Sequence, residues 1–87
     1  MNNVYITCKI KSKSNICFDY YNKVKPYCIM SVEDIDNEEN VFDVVIYDKI
    51  CEDFLNRLYI NTIVLICGDI RIEEEMRYIY AKKIYIV

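Results

Sequence analysis

Tyrosines and basic residues recur together along this 87-residue chain, and no other side-chain combination in it points to a chemistry. Tyr5, Lys9 and Lys11 open the chain. Tyr20, Tyr21, Lys23, Lys25 and Tyr27 interleave rings with charges over eight positions. Tyr47 stands among aspartates, and Arg71, Arg77, Tyr78 and Tyr80 gather near the end. Aromatic faces accept stacked bases, worth roughly 1–3 kcal/mol per base and indifferent to which base it is. Neighbouring cations neutralise phosphates and release counterions, so binding by such a set weakens as salt rises. Single-stranded nucleic acid is the ligand class these residues suit. Taken singly, each tyrosine also fits a plainer role, with its ring packed on the protein and its hydroxyl turned to water. Arg71 and Arg77 could likewise pair with Glu73, Glu74 and Glu75.

Catalysis finds little support. The chain has no histidine, no nucleophile beside a plausible base and no glycine-rich phosphate loop, Gly68 being its one glycine. Asp34, Asp36, Glu38 and Glu39 form an acidic run without the glycine and twelve-residue spacing of a calcium loop, which reads as a solvated loop. The five cysteines, at 8, 17, 28, 51 and 67, are odd in number and nowhere spaced C-x-x-C. Zinc sites are normally built from close Cys or Cys/His pairs, so none is expected. Most of the cysteines lie inside apolar segments and read as reduced core residues. No metal and no cofactor are expected.

The elements that would position these residues are mostly strands. Val4, Ile6, Cys8 and Ile10 alternate with polar partners, the period of a half-buried strand. Residues 16–25 are ambiguous, with Tyr20-Tyr21-Asn22-Lys23 suited to a hairpin loop. A second strand runs from Tyr27 to Val32, with Pro26 at its start because proline cannot donate to a ladder. Glu33 to Asn40 reads as a connecting loop. Val41 to Tyr47 is a third strand, its inner face Phe42, Val44 and Ile46, and Tyr47 on the other side. Asp48 suits a helix N-cap, and Ile50, Phe54 and Leu58 then follow at a spacing of four, one apolar stripe over about three turns. Asn61 ends that helix. Thr62 to Ile72 forms a fourth strand interrupted at Gly68, Glu73 to Glu75 a tight turn, and Tyr78 to Val87 a fifth strand. The order β-β-β-α-β-β is that of an OB-fold, an all-β five-stranded Greek-key barrel, here one domain over residues 1–87. Gly68 fits a barrel corner, where a Cβ would obstruct a neighbouring backbone.

Net charge is −3, which argues against a nucleic-acid ligand until its distribution is considered. Residues 1–32 hold five lysines against Asp19 alone, a local +4, whereas residues 33–54 hold nine acids against Lys49, a local −8. Such a split permits one basic face on an acidic protein. Hydrophobic residues make up 54% of the chain, but no run nears the roughly 18 residues of a membrane helix. No basic segment followed by an apolar stretch marks a signal peptide, so a cytoplasmic protein with no membrane partner is expected.

Three segments resemble the bacterial and phage single-stranded DNA-binding protein family, SSB. Met1 to Ile10 is similar to that family's opening Asn-Val-x-Ile-x-Gly-x-Leu. Val41 to Glu52 resembles its Phe-x-Val-Val-x-aromatic-Gly-Lys-x-Ala-Glu, with Tyr47 at the aromatic position and Lys49 at the lysine. Leu58 to Ile70 resembles Leu-x-Lys-Gly-x-x-Val-x-Val-x-Gly-x-Leu, keeping Gly68, and Arg77 to Val87 follows the closing strand loosely. The resemblance implies an OB barrel and places Tyr47 and Lys49 on the ligand face. Departures are clear: Cys8 and Asp48 replace glycines, Tyr59-Ile60-Asn61 replaces the Lys-Gly turn, and the hairpin before the last strand is cut to Glu73–Glu75. An acidic C-terminal tail is also missing from the pattern, so wrapping of DNA, the family's tetramer and tail-borne recruitment are not implied.

The sequence therefore predicts a reduced SSB-like protein, not an enzyme, that binds single-stranded DNA with little sequence preference. It would serve replication or recombination of a mobile element or phage, with a homo-oligomer and a polymerase, helicase or primase as possible associations. Two other readings stay open. One is an OB-fold adaptor that contacts a protein through strand edges or its Ile/Tyr-rich surface, including Val45 and Leu65. The other is an RNA-binding OB domain.

Overall fold

Alternating burial along the first strand sets the architecture: Cys8 and Ile10 are buried and Val4 and Ile6 pack against the core, while Asn3, Tyr5 and Thr7 face outward. The structure, a computed structural model, describes residues 3–14, 17–19, 25–47, 50–51 and 57–87, with backbone alone at 17–19, 25, 73 and 76. The described residues form six strands: β1 (Asn3–Lys13), β2 (Cys17–Asp19), β3 (Lys25–Asp34), β4 (Asn37–Tyr47), β5 (Ile63–Glu73) and β6 (Met76–Ile86). Neighbours run in the order β1-β5-β6-β4-β3, and β3 returns to β1, so five strands close into a barrel. The short β2 lies outside the ring, paired with β3. Every pairing is antiparallel except β4 with β6. This is the OB-fold barrel that the element order predicts.

Inward residues from all five barrel strands meet in one core that includes Ile10, Met30, Val44, Ile66 and Ile79. Among the described residues, Cys8, Cys28 and Cys51 belong to it, buried and reduced, and Cys67 is a half-buried free thiol. Burial, with Asp34 adding its charge, pushes the Cys8 thiol up from 9.0 to about 11, so it stays protonated and inert.

The acidic loop expected over Glu33–Asn40 is instead mostly strand. β3 stays paired with β1 as far as Asp34, opposite Cys8, and the β3–β4 ladder slips between Glu33 and Asp34, so that Asp34 lies opposite Asn37 with only Ile35-Asp36 at the tip. Its side chains are exposed from Ile35 to Val41. The error has a simple origin: ladder hydrogen bonds join backbones, so a strand beyond the core needs no apolar side chains. Asp34 Oδ1 accepts from the Asp36 amide at 2.9 Å and Asn37 Oδ1 from the Glu39 amide at 3.0 Å, the local bonds by which such residues favour turns.

Between β4 and β5 the chain is helical at Ile50 and Cys51, while Asp48, the expected cap, and Phe54 lie outside the described residues. The apolar stripe does not end in helix as expected. Leu58 is buried, but its backbone is irregular and follows a turn at Arg57, so it enters the core from the connection. Asn61 adopts φ 71° and donates its amide to the Ile10 carbonyl at 2.7 Å, the left-handed geometry that asparagine tolerates best among non-glycine residues.

Gly68 performs the predicted corner role through close approach, not through unusual φ. A Cβ there would run into the Tyr80 carbonyl oxygen and lie 3.1 Å from the Ala81 Cα. Beside it the β5–β6 register slips between Cys67 and Gly68, a β-bulge. The β5–β6 hairpin then closes at Glu74 and Glu75, both left-handed at φ 46° and 68°.

Candidate nucleic-acid interface

Register brings the tyrosines together. Tyr27 of β3 lies directly opposite Tyr47 of β4, and their ring centres are 5.5 Å apart. On the other side of β4, the parallel pairing sets Val45 opposite Tyr80 of β6. Tyr80 then reaches diagonally to Tyr47, with ring centres 5.4 Å apart and planes 29° from parallel. Arg71 of β5 completes the row, its guanidinium carbon 3.8 Å from the Tyr80 ring centre. One row of three rings and a guanidinium thus crosses four strands of the outer wall.

Such a row forms because the inward neighbours are buried. Cys28, Ile46 and Ile79 point into the core, which turns Tyr27, Tyr47 and Tyr80 outward. The three rings are half-buried, each leaning on the next. Offset and tilted ring pairs at these distances are favourable by about 0.5–1.5 kcal/mol beyond area burial, which makes the row a preformed platform. Ile29, 42% exposed, and Val45 lie beside it on the same face. Arg71 occupies a face of Tyr80, so a base that stacks there either displaces the guanidinium or lies on its outer plane. Both rings and guanidinium planes are stacking partners for bases.

The other residues nominated from sequence fall in several places. Tyr78 is half-buried, in register with Asp43 on one side and Arg71 on the other. It also lines a pocket of about 120 Å³ with Ile6, Phe42, Ile70, Arg77 and Ile79, with Arg77 exposed. Lys25 begins β3 opposite Asp19, two positions before Tyr27. Lys11 forms an ion pair with Glu33 at 3.7 Å. Tyr5 and Lys9 lie on the outer side of β1, opposite Cys67 and Ile63 of β5 and away from the row. Tyr20, Tyr21, Lys23 and Lys49 lie outside the described residues. The nominees therefore do not form one cluster: Tyr27, Tyr47, Tyr78 and Arg71 share a wall, while Tyr5 and Lys9 stand on another.

Sequence reasoning understated Tyr80 and missed Lys82, Lys83 and Tyr85. Alternation places Tyr78 and Tyr80 alike on the outer side, and only the parallel β4–β6 register decides which of them meets Tyr47. Lys82 and Lys83 are both exposed because the bulge breaks the period of two, an event with no sequence signal beyond Gly68 itself.

No protein-family model matches the chain, and no curated protein matches it in sequence. Solved structures do match in fold. The SSB domain of a Synechococcus protein superposes with a TM-score of 0.83 over 98% of this chain and 94% of that one, at 17% identity. The PriB protein from Ralstonia solanacearum gives 0.81 over 99% and 97%, at 7% identity. The N-terminal domain of PriB from Thermoanaerobacter tencongensis, described as dimeric, gives 0.71 over 99% and 96%, at 19% identity. At these identities the likeness is one of fold, and the chain has the OB barrel of SSB and PriB domains.

Proposed function

We propose that this chain binds single-stranded DNA across the outer wall formed by β3, β4, β6 and β5, with little sequence preference and without catalysing a reaction. The observation that carries the reading is the continuous row Tyr27–Tyr47–Tyr80–Arg71. It begins on the strand pair that OB domains use for oligonucleotides and runs toward the hairpin that lies beside that surface. Rings bind any base by stacking, and Arg71 supplies charge for phosphates. The fold shared with an SSB domain supports the same ligand.

Its setting, in this reading, is cytoplasmic replication or recombination of a mobile element or phage, with a polymerase, helicase or primase nearby. Self-association fits the dimeric PriB neighbour. Among the described residues no helix is long and apolar enough to cross a membrane.

Fluorescence anisotropy with labelled single-stranded DNA, RNA and duplex DNA at two salt concentrations tests the proposal. Single-stranded DNA should bind best and weaken steeply with salt. Tyr47→Ala should lower its affinity by roughly 1–3 kcal/mol, or about 5- to 150-fold. Unchanged affinity in a folded Tyr47→Ala protein would sink the assigned wall. Failure to bind any oligonucleotide would favour the adaptor reading, for which the acidic β3–β4 tip and exposed Ile29 and Val41 would be the contact surface.

A further inference from the structure

A second aromatic and basic surface lies on the wall around the corner from the tyrosine row. The bulge in the β5–β6 ladder pairs Gly68 with Ala81 and Cys67 with Lys83, leaving Lys82 as the extra residue on β6. Ala81 and Ile84 are buried, so the two residues between them, Lys82 and Lys83, both project outward. Bulges re-aim side chains in this way. The glycine at 68 is what lets the β6 backbone come close enough to form it.

These lysines meet two open rings. Tyr5 of β1, Cys67 of β5 and Lys83 lie in one register row, with Leu65 and Tyr85 in the next but one. Tyr5 is 72% exposed and Tyr85 50% exposed. Together with Lys82 they line a groove of about 300 Å³ whose wall includes Cys67. The neighbouring acid is Asp69, whose Oδ2 lies 3.2 Å from Lys82 Nζ. That pair cancels, and Lys83 leaves the groove with net positive charge on a protein of net charge −3.

The groove also adjoins the row. Asp69 is the register partner of Tyr80 on one side and of Asn3 on the other. From Tyr27 on β3 to Tyr5 on β1, by way of β4, β6 and β5 and around the corner, is four inter-strand spacings, about 19 Å over the barrel surface. At about 3.4 Å per stacked nucleotide that distance takes roughly six nucleotides.

We propose that this groove is a second nucleotide subsite, continuing the track of a single strand beyond Tyr80, with a base among Tyr5 and Tyr85 and a phosphate on Lys83. The proposal rests on the reading of the tyrosine row given above. It predicts a length dependence that the row alone does not have.

Oligothymidylates of about 4 and about 16 nucleotides, the extremes of the site size of one OB barrel, separate the two. Lys83→Glu and Tyr85→Ala, both at exposed positions, should each weaken the longer oligonucleotide roughly tenfold and the shorter less than twofold. Alkylation of Cys67, located by peptide mass mapping of the unaltered protein, should slow with the longer DNA bound and not with the shorter. Equal effects on both lengths, or none on either, while Tyr47→Ala still weakens both, would overturn the groove and leave the row standing. Loss of the Tyr47→Ala effect with the Lys83→Glu effect intact would remove the row and with it the continuity claimed here. Protection of Cys67 without DNA that grows with protein concentration would overturn the subsite in favour of a second copy covering this wall.

Discussion

Arg71 lies over the ring of Tyr80 at 3.8 Å, although the two are not register partners: Arg71 pairs with Tyr78, and Tyr80 with Asp69. The contact is a diagonal one, within reach of long side chains on neighbouring strands. A guanidinium over a phenol ring gains about 0.5–2 kcal/mol, depending on how dry the site is. It also keeps a positive charge at the end of the tyrosine row.

Arg71 should therefore contribute both charge and a planar surface, and two substitutions separate these. Arg71→Lys keeps the charge but not the flat guanidinium, so single-strand affinity should fall about threefold to tenfold with the salt slope unchanged. Arg71→Ala should fall further and also lose about 0.7 from the slope of log affinity against log salt. Identical slopes for the two variants, measured by anisotropy, would show that Arg71 does not face a phosphate.

Gly68 has no room for a methyl group. Its Cβ would meet the Tyr80 carbonyl and the Ala81 backbone, neither of which is a flexible side-chain end. Gly68→Ala should cost about 2–3 kcal/mol of stability, the upper part of the range for overpacking. Urea unfolding reads this directly. A cost below about 0.5 kcal/mol would mean that the bulge relaxes freely.

The β5–β6 turn carries avoidable strain. Glu74 and Glu75 both have positive φ, as a two-residue type I′ hairpin requires, but asparagine and glycine are the residues suited to it. A left-handed conformation costs an ordinary residue roughly 1–2 kcal/mol. Replacing Glu74→Asn and Glu75→Gly together should stabilise the protein by about 1 kcal/mol or more, visible as a higher urea midpoint. No gain would argue that the glutamates have compensating contacts.

Cys8 should make stability sensitive to alkaline pH. Its thiol is raised in the folded state from 9.0 to about 11, so the protonated form favours folding. The sign follows: this contribution is fully present below pH 9 and is lost as pH rises through about 11, a loss of at most about 3 kcal/mol. The comparison that isolates this contribution is with Cys8→Ala. The unaltered protein should lose more stability between pH 8 and pH 11 than the variant does. Equal losses would show that Cys8 ionisation plays no part.

The barrel was legible in the chain because its signals are local. Alternation in Val4–Ile10 and Phe42–Ile46, a single glycine at a corner and a short acidic turn each act within a few residues, and each is found where expected. The β3–β4 hairpin was misjudged because an exposed strand, held by backbone bonds, leaves no apolar pattern to read. The helix between β4 and β5 was traced too far, since burial of Leu58 needs only a side chain directed inward and not a helical backbone.

The binding surface divides along the same line. Residue types alone indicated stacking and phosphate contact, and the motif around Phe42 to Lys49 marked Tyr47. Which tyrosines share a wall depended on long-range register: β3 against β4 brings Tyr27 to Tyr47, and parallel β4–β6 pairing brings Tyr80 to them in place of Tyr78. The placement of Lys82 and Lys83 depended on one extra residue in a ladder. Pairing between strands distant in the chain is a property of the closed barrel as a whole, so tertiary structure decided it where local sequence could not.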